Sequence, residues 1–114
     1  AEGVMLLTPF TADATDDATK NFVKQYNDKF KETPNQFAAD GYDVVNAIYE
    51  GCQKAGVTAD MKADEIGKKL VETFTNPDFK IDGITGSAMT WSKAGEISKE
   101  PKGMVIKGGV YVGM

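Results

Sequence analysis

Residues Val4 to Leu7 form an unbroken apolar run bounded by Gly3 and Pro9, and this run constrains the fold more than any other feature of the chain. A strand without polar alternation is expected where a parallel sheet is covered on both faces. Parallel pairing requires a second strand reached through a crossover helix. Three helical segments follow, yet no second run of this kind appears before Phe79. The neighbours of the strand are therefore expected in sequence outside this chain or in another copy of it.

Helices and then short strands follow. A first helix is expected to begin near Thr15, with Asp16 and Asp17 in its first turn opposing the positive helix end. Phe22, Tyr26 and Phe30 recur every four residues and give it one apolar face. Thr33-Pro34-Asn35 breaks it. A second helix is predicted from about Gln36 to Lys54, closing on Gly56 as a C-terminal cap. Inside it, Gly41 costs roughly 1 kcal/mol against alanine, which implies that something packs close to its backbone. Ile66, Leu70 and Phe74 mark a third, shorter helix that stops at Asn76-Pro77. Met104 to Lys107 and Val110 to Val112 flank Gly108-Gly109, the signal for a hairpin with a two-residue turn.

Composition narrows the function classes. The 114 residues have single-domain length, and a globule of that size buries about two-thirds of its unfolded surface. The net charge of -4 comes from 17 acids against 13 bases. All the bases are lysine, with no basic block longer than Lys68-Lys69. Nucleic acid is a poor partner for such a surface. Without arginine there is no planar fork to grip a carboxylate or phosphate, so an anionic ligand would rest on backbone N–H groups, hydroxyls or lysine. There is no histidine, the commonest general base near neutral pH, and an enzyme is not the expected reading. The lone Cys52 cannot form an internal disulfide; its helical spacing from Tyr42, Val45, Ile48 and Tyr49 makes it a small core residue rather than a reactive thiol. The chain has neither a signal peptide nor an apolar run of about 18 residues.

Several constellations resemble chemistry and have plainer readings. Asp13-Ala14-Thr15-Asp16-Asp17 begins like a calcium loop, but Ala18 and Lys24 stand where such a loop needs glycine and a bidentate acid. A solvated, acidic helix start is the better reading, and no metal is expected. Gly83-Ile84-Thr85-Gly86 lacks the lysine and helix of a phosphate cradle and reads as a turn into a strand. Asp40 and Asp43 lie three apart on one helix, yet no nucleophile or base accompanies them; exposure or capping of neighbouring backbone is expected for both. Trp91 and Tyr111 could face a ligand, although aromatics in short strands are usually core or cross-strand partners.

The run from Phe37 through Tyr42-Asp43 to Glu50, closing on Lys54-Ala55-Gly56, resembles the aromatic-x-x-x-x-Tyr-Asp-Ala helix of extracytoplasmic solute-binding proteins for branched-chain amino acids and related ligands. In the family's order, Gly3 to Phe10 resembles the strand leaving the second lobe, and Asn21 to Tyr26 the following Phe-x-x-x-Tyr helix. Gly83 to Trp91 is similar to the Gly-x-x-Gly-x-x-x-Phe strand before the final hairpin. The resemblance covers nearly the whole chain but only the C-terminal third of such proteins. Relatives often carry a serine cap where Lys62 stands, before Glu65; with that half of the capping box gone, Asp60 is the candidate cap.

The resemblance implies an α/β fold, here the C-terminal fragment of a two-lobed type I periplasmic binding protein: one buried strand, three helices and a C-terminal β-hairpin region. Residues 1–10 would be the strand leaving the second lobe and a hinge, 11–78 the helical part of the first lobe, and 79–114 strands, hinge and terminal hairpin. Phe37 occupies the position where branched-chain binders place an aromatic against the ligand's side chain; the alternative is a staple at the helix start, packing on Gly41 or Tyr42. Tyr42, more often a core residue, and Phe10, a hinge residue, are the other ligand-contact candidates. The implied activity is lobe closure around an amino acid and delivery to an ABC permease, outside the cytoplasm, with no cofactor and no chemical step. Any lipid anchor would lie upstream of this sequence. The isolated chain is expected to pair as a homodimer through the Val4 to Leu7 strand. A ligand-sensing receptor domain and a small stand-alone interaction module are the rival readings.

Overall fold

The computed structural model describes residues 1–114. Strand β1 (Met5–Thr8) is followed by helices α1 (Asp17–Phe30), α2 (Gln36–Ala55) and α3 (Ala63–Phe74), then by strands β2 (Lys102–Lys107) and β3 (Val110–Gly113).

The strands form one antiparallel sheet in the order β1-β2-β3. This corrects the reading of Val4 to Leu7. β1 has a neighbour within the chain, β2, in a register that sets Leu6 opposite Met104 and Thr8 opposite Lys102. Nor is it covered on both faces, for Met5 and Leu7 are 66% and 73% exposed whereas Thr8 is buried. An apolar run of four residues cannot show by itself whether one face or two are covered. The other edge of β1 has no partner in the chain. The hairpin follows the expected turn chemistry: Gly108 and Gly109 have φ of 60° and 83°, the paired left-handed conformations that join two strands whose twist is right-handed. Between Phe79 and Lys99 the expected short strands are reduced to single bridges, Ile81 to Met89 and Trp91 to Ile97.

The helix ends obey local rules. Asp16 caps α1 by accepting the Thr19 N–H at 2.9 Å. That bond, first among its causes, holds the Asp16 carboxyl below its ordinary pKa. The cap therefore contributes above the unfolded-state value and is lost as pH falls through the lower folded one. Asn35 caps α2 through the Ala38 N–H, and Gly56 ends it in the left-handed region. α3 has no side-chain cap at Lys62. Asp60 does not replace it, because its carboxylate accepts the Thr58 hydroxyl instead.

Two small cores lie along α2. Phe10, Phe22, Ala39 and Ile84 make the first, with Phe10 meeting Phe22 edge to face at 5.9 Å. Ala47, Phe79, Ile81 and Met89 make the second, flanked by Phe74 and Trp91, whose rings meet edge to face at 4.8 Å. Trp91 is thus a core-side partner. The aromatic face of α1 leaves the core by its end, where Phe30 is exposed.

The glycine that accepts a close neighbour in α2 is Gly51. A Cβ there would lie 2.8 Å from the Phe74 ring, whereas one at Gly41 would meet nothing within 4 Å. Cys52 is half-buried rather than a core residue. Gly51→Ala should destabilise the chain by roughly 1–3 kcal/mol through overpacking, despite alanine's better helix propensity. Urea unfolding of the two forms measures this, and a gain in stability would contradict the contact.

Candidate functional site

Asp43 lies on the inner face of α2 and is almost wholly buried. Its Oδ1 accepts the Ile84 N–H at 3.0 Å, and its Oδ2 accepts the Thr85 N–H at 2.8 Å and the Thr85 hydroxyl at 2.5 Å. Gly83 and Gly86 close the turn through an N–H to carbonyl bond of 2.9 Å. Gly83 must be glycine, because a Cβ there would stand 2.4 Å from the Asp43 carboxylate. The Gly-x-x-Gly stretch is therefore a turn clamped to a helix. Asp40 points elsewhere and pairs with Lys99 at 2.7 Å. The two acids are committed to different partners, and neither is paired with the other for proton transfer.

Away from this clamp, at the start of α2, the chain forms a groove of about 740 Å³. Its walls come from the end of β1 (Leu6, Thr8), from Phe10 to Asp13, from Thr33 to Phe37, and from the hairpin residues Met104, Val110 and Tyr111. Thr8, buried at the strand end, donates its hydroxyl to Gln36 Oε1 at 2.6 Å and so ties β1 to the first turn of α2. Among the lining residues only Asp13 is charged, and no lysine reaches the groove. Such a surface suits an apolar group better than a carboxylate.

The three residues singled out from sequence separate here. Phe37 is 72% exposed at the groove, so it is no helix-start staple buried against Gly41. Phe10 lines the same groove from below, with most of its ring in the first core. Tyr42 stands outside it, its ring 4.9 Å from that of Phe22. Tyr111, a weaker candidate from sequence, does line the groove. Thr8 and Gln36 were not foreseen; a polar residue just before Pro9 was the available signal. The acidic stretch at 13–17 is divided, since Asp16 caps α1 and Asp13 faces the groove.

The end of strand β1 thus meets the start of helix α2 at an apolar groove. Residues 1–100 match the family model described as periplasmic binding protein, and the chain belongs to that family. No curated protein matches it. Among solved structures, it is similar to a putative branched-chain amino acid ABC transporter protein from Rhodospirillum rubrum, at 25% identity and a TM-score of 0.69, covering 99% of this chain and 31% of that one. An ABC transporter substrate-binding protein from Desulfitobacterium hafniense, solved with Leu, shares the fold at 20% identity and a TM-score of 0.78, with coverage of 100% and 32%. A solute-binding protein from R. palustris, solved with benzoate, matches at 19% identity and a TM-score of 0.76, with coverage of 99% and 29%. The chain thus has the fold of one portion of a type I periplasmic binding protein, and spans under a third of the length of these structures.

Asp43→Ala would leave two buried N–H groups and a hydroxyl without their acceptor, and should cost roughly 2–5 kcal/mol. Gly83→Ala should behave similarly through steric displacement of the same carboxylate. Denaturant unfolding checks both; loss of less than about 1 kcal/mol for Asp43→Ala would show that the clamp does not organise the turn.

Proposed function

We propose that this chain is the C-terminal portion of an extracytoplasmic solute-binding protein, which encloses an amino acid or a similarly sized apolar carboxylate between two lobes and delivers it to an ABC permease. The observation that carries this is the exposed aromatic Phe37 at an apolar groove, in a chain matched by the periplasmic binding protein family over residues 1–100. Relatives solved with Leu and with benzoate set the size class. β1 and the terminal strands, both reaching the groove, serve as hinge segments in this reading, and residues 11–78 as the helical part of the first lobe. Phe37 is the wall against the ligand's apolar part, and Phe10 supports it from the core. Tyr42 contributes through Phe22, unless closure brings it to the ligand. The protein works without a chemical step.

The groove supplies no cation for the ligand's carboxylate. Those anchors must come from the rest of the protein. The isolated 114 residues should therefore show no binding of leucine, isoleucine, valine or benzoate by calorimetry at micromolar concentration, and a micromolar dissociation constant would overturn the fragment reading. In the intact protein, Phe37→Ala should weaken ligand binding by roughly 1–3 kcal/mol through lost apolar contact, with little change in the melting temperature of the ligand-free form. The reverse pattern would place Phe37 in a packing role.

The isolated chain should also form a homodimer, because the free edge of β1 carries exposed Met5 and Leu7 and such edges recruit a second strand. Light scattering during size-exclusion chromatography tests this, with Leu7→Lys as the dissociating control. A strict monomer at high micromolar concentration would exclude it.

A further inference from the structure

The groove at the start of α2 holds two polar side chains whose hydrogen-bonding capacity the chain leaves unused. Thr11 lines the groove and is only 8% exposed. Its backbone carbonyl accepts the Ala14 N–H at 3.3 Å, but its hydroxyl has no partner in the chain. No side-chain oxygen or nitrogen sealed from solvent lacks a partner, so the Thr11 oxygen is still reached by solvent, and the groove is the opening that the residue borders. Gln36 is the second. Thr8 donates its hydroxyl to Gln36 Oε1 at 2.6 Å, which turns the carboxamide oxygen towards the strand end. Nε2 is left with two N–H groups that nothing in the chain accepts.

These groups matter once a ligand covers them. In the open groove water satisfies both. A ligand lying against Phe37 and Tyr111 displaces that water, and a wholly apolar one would strand a hydroxyl and an amide without partners. Sites built with such groups reject an analogue that lacks the matching polar atom more strongly than an apolar pocket rejects a missing methylene. The matching atom here is uncharged: Thr11 and Gln36 are neutral, no lysine lines the groove, and Asp13, its only charged residue, repels an anion. A hydroxyl suits the pair. Its oxygen accepts from Gln36 Nε2 and its proton goes to the Thr11 oxygen.

We infer that Thr11 and Gln36 form a polar subsite of the groove that recognises a hydroxyl on the apolar part of the ligand. The ligand is then a hydroxylated amino acid or a hydroxylated aromatic acid rather than its plain hydrocarbon counterpart. Thr8 is a positioning residue, because it acts through the Gln36 carboxamide. The inference rests on the reading of this groove as one wall of a ligand cleft.

The test uses the product of the full reading frame, titrated calorimetrically with leucine and with three matched pairs: threonine and valine, tyrosine and phenylalanine, 4-hydroxybenzoate and benzoate. In at least one pair the hydroxylated member should bind about tenfold more tightly or better. Thr11→Val removes the hydroxyl at nearly constant shape, and Gln36→Met removes the amide at similar length; each should reduce that ratio to below about threefold, while Thr11→Ser keeps it. Gln36→Met leaves the Thr8 hydroxyl the Phe10 carbonyl as an acceptor, at 3.2 Å. Thr11→Val should melt no lower than the parent protein, since the hydroxyl bonds nothing in the chain; a lower melting temperature would reveal a partner within the protein and overturn the inference. Equal affinities within every pair, or tighter binding of the plain member, would overturn it and leave the transport reading standing. A ratio unchanged in either variant would overturn it as well, by giving that residue a structural role only. Binding of none of these compounds overturns the transport reading and the subsite with it.

Discussion

The carboxylate of Asp43 is the constraint on which the rest of this structure depends. It holds the turn at Ile84 and Thr85 against the middle of α2, and that turn lies between the two cores. Ile84 belongs to the first cluster, while Ile81 and Met89 on either side belong to the second. A buried carboxylate is tolerable only when hydrogen bonds replace its lost water. Here two backbone N–H groups and one hydroxyl do so without a cation. Because those donors belong to a tight turn, the arrangement fixes the turn's orientation as well as its distance. Packing of apolar side chains alone would leave that orientation less determined.

Helix α2 meets three demands at once, which explains its composition. Its inner face is small, with Ala39, Ala47 and Gly51 buried, so that the turn and the Phe74 ring can approach. Its first turn is fixed by the Asn35 cap and by Thr8 through Gln36, and presents Phe37 to the groove. Its outer face is apolar and open. A helix of a self-contained globule directs one stripe inward and charges outward; here the charges sit beside the inner contacts and the open side is greasy. The Thr8 to Gln36 bond places the end of β1 against the helix turn that carries Phe37. A shift of β1 would be felt directly at Phe37.

What the sequence determined by itself is mostly local. Gly56, Gly108 and Gly109 dictated a helix end and a hairpin turn because only a residue without Cβ takes positive φ freely. The extents of the helices followed from the spacing of Phe22, Tyr26 and Phe30, of Ile66, Leu70 and Phe74, and from Pro34 and Pro77 as breaks. The order of short motifs, with Phe37, Tyr42 and Asp43 on one helix, was enough to indicate the family. What only the tertiary structure decided depends on contacts between residues far apart in the chain. The partner of β1 lies about a hundred residues away in β2, and four apolar residues hold no information about a strand at that separation. Asp40 and Asp43 look equivalent in sequence, yet one pairs with Lys99 and the other is buried under residues 84 and 85; a helix periodicity gives their directions but not what stands there. In the same way Gly41 and Gly51 are alike as letters. Only the position of Phe74 shows that Gly51 makes room for a neighbour already present in this chain, while Gly41 does not.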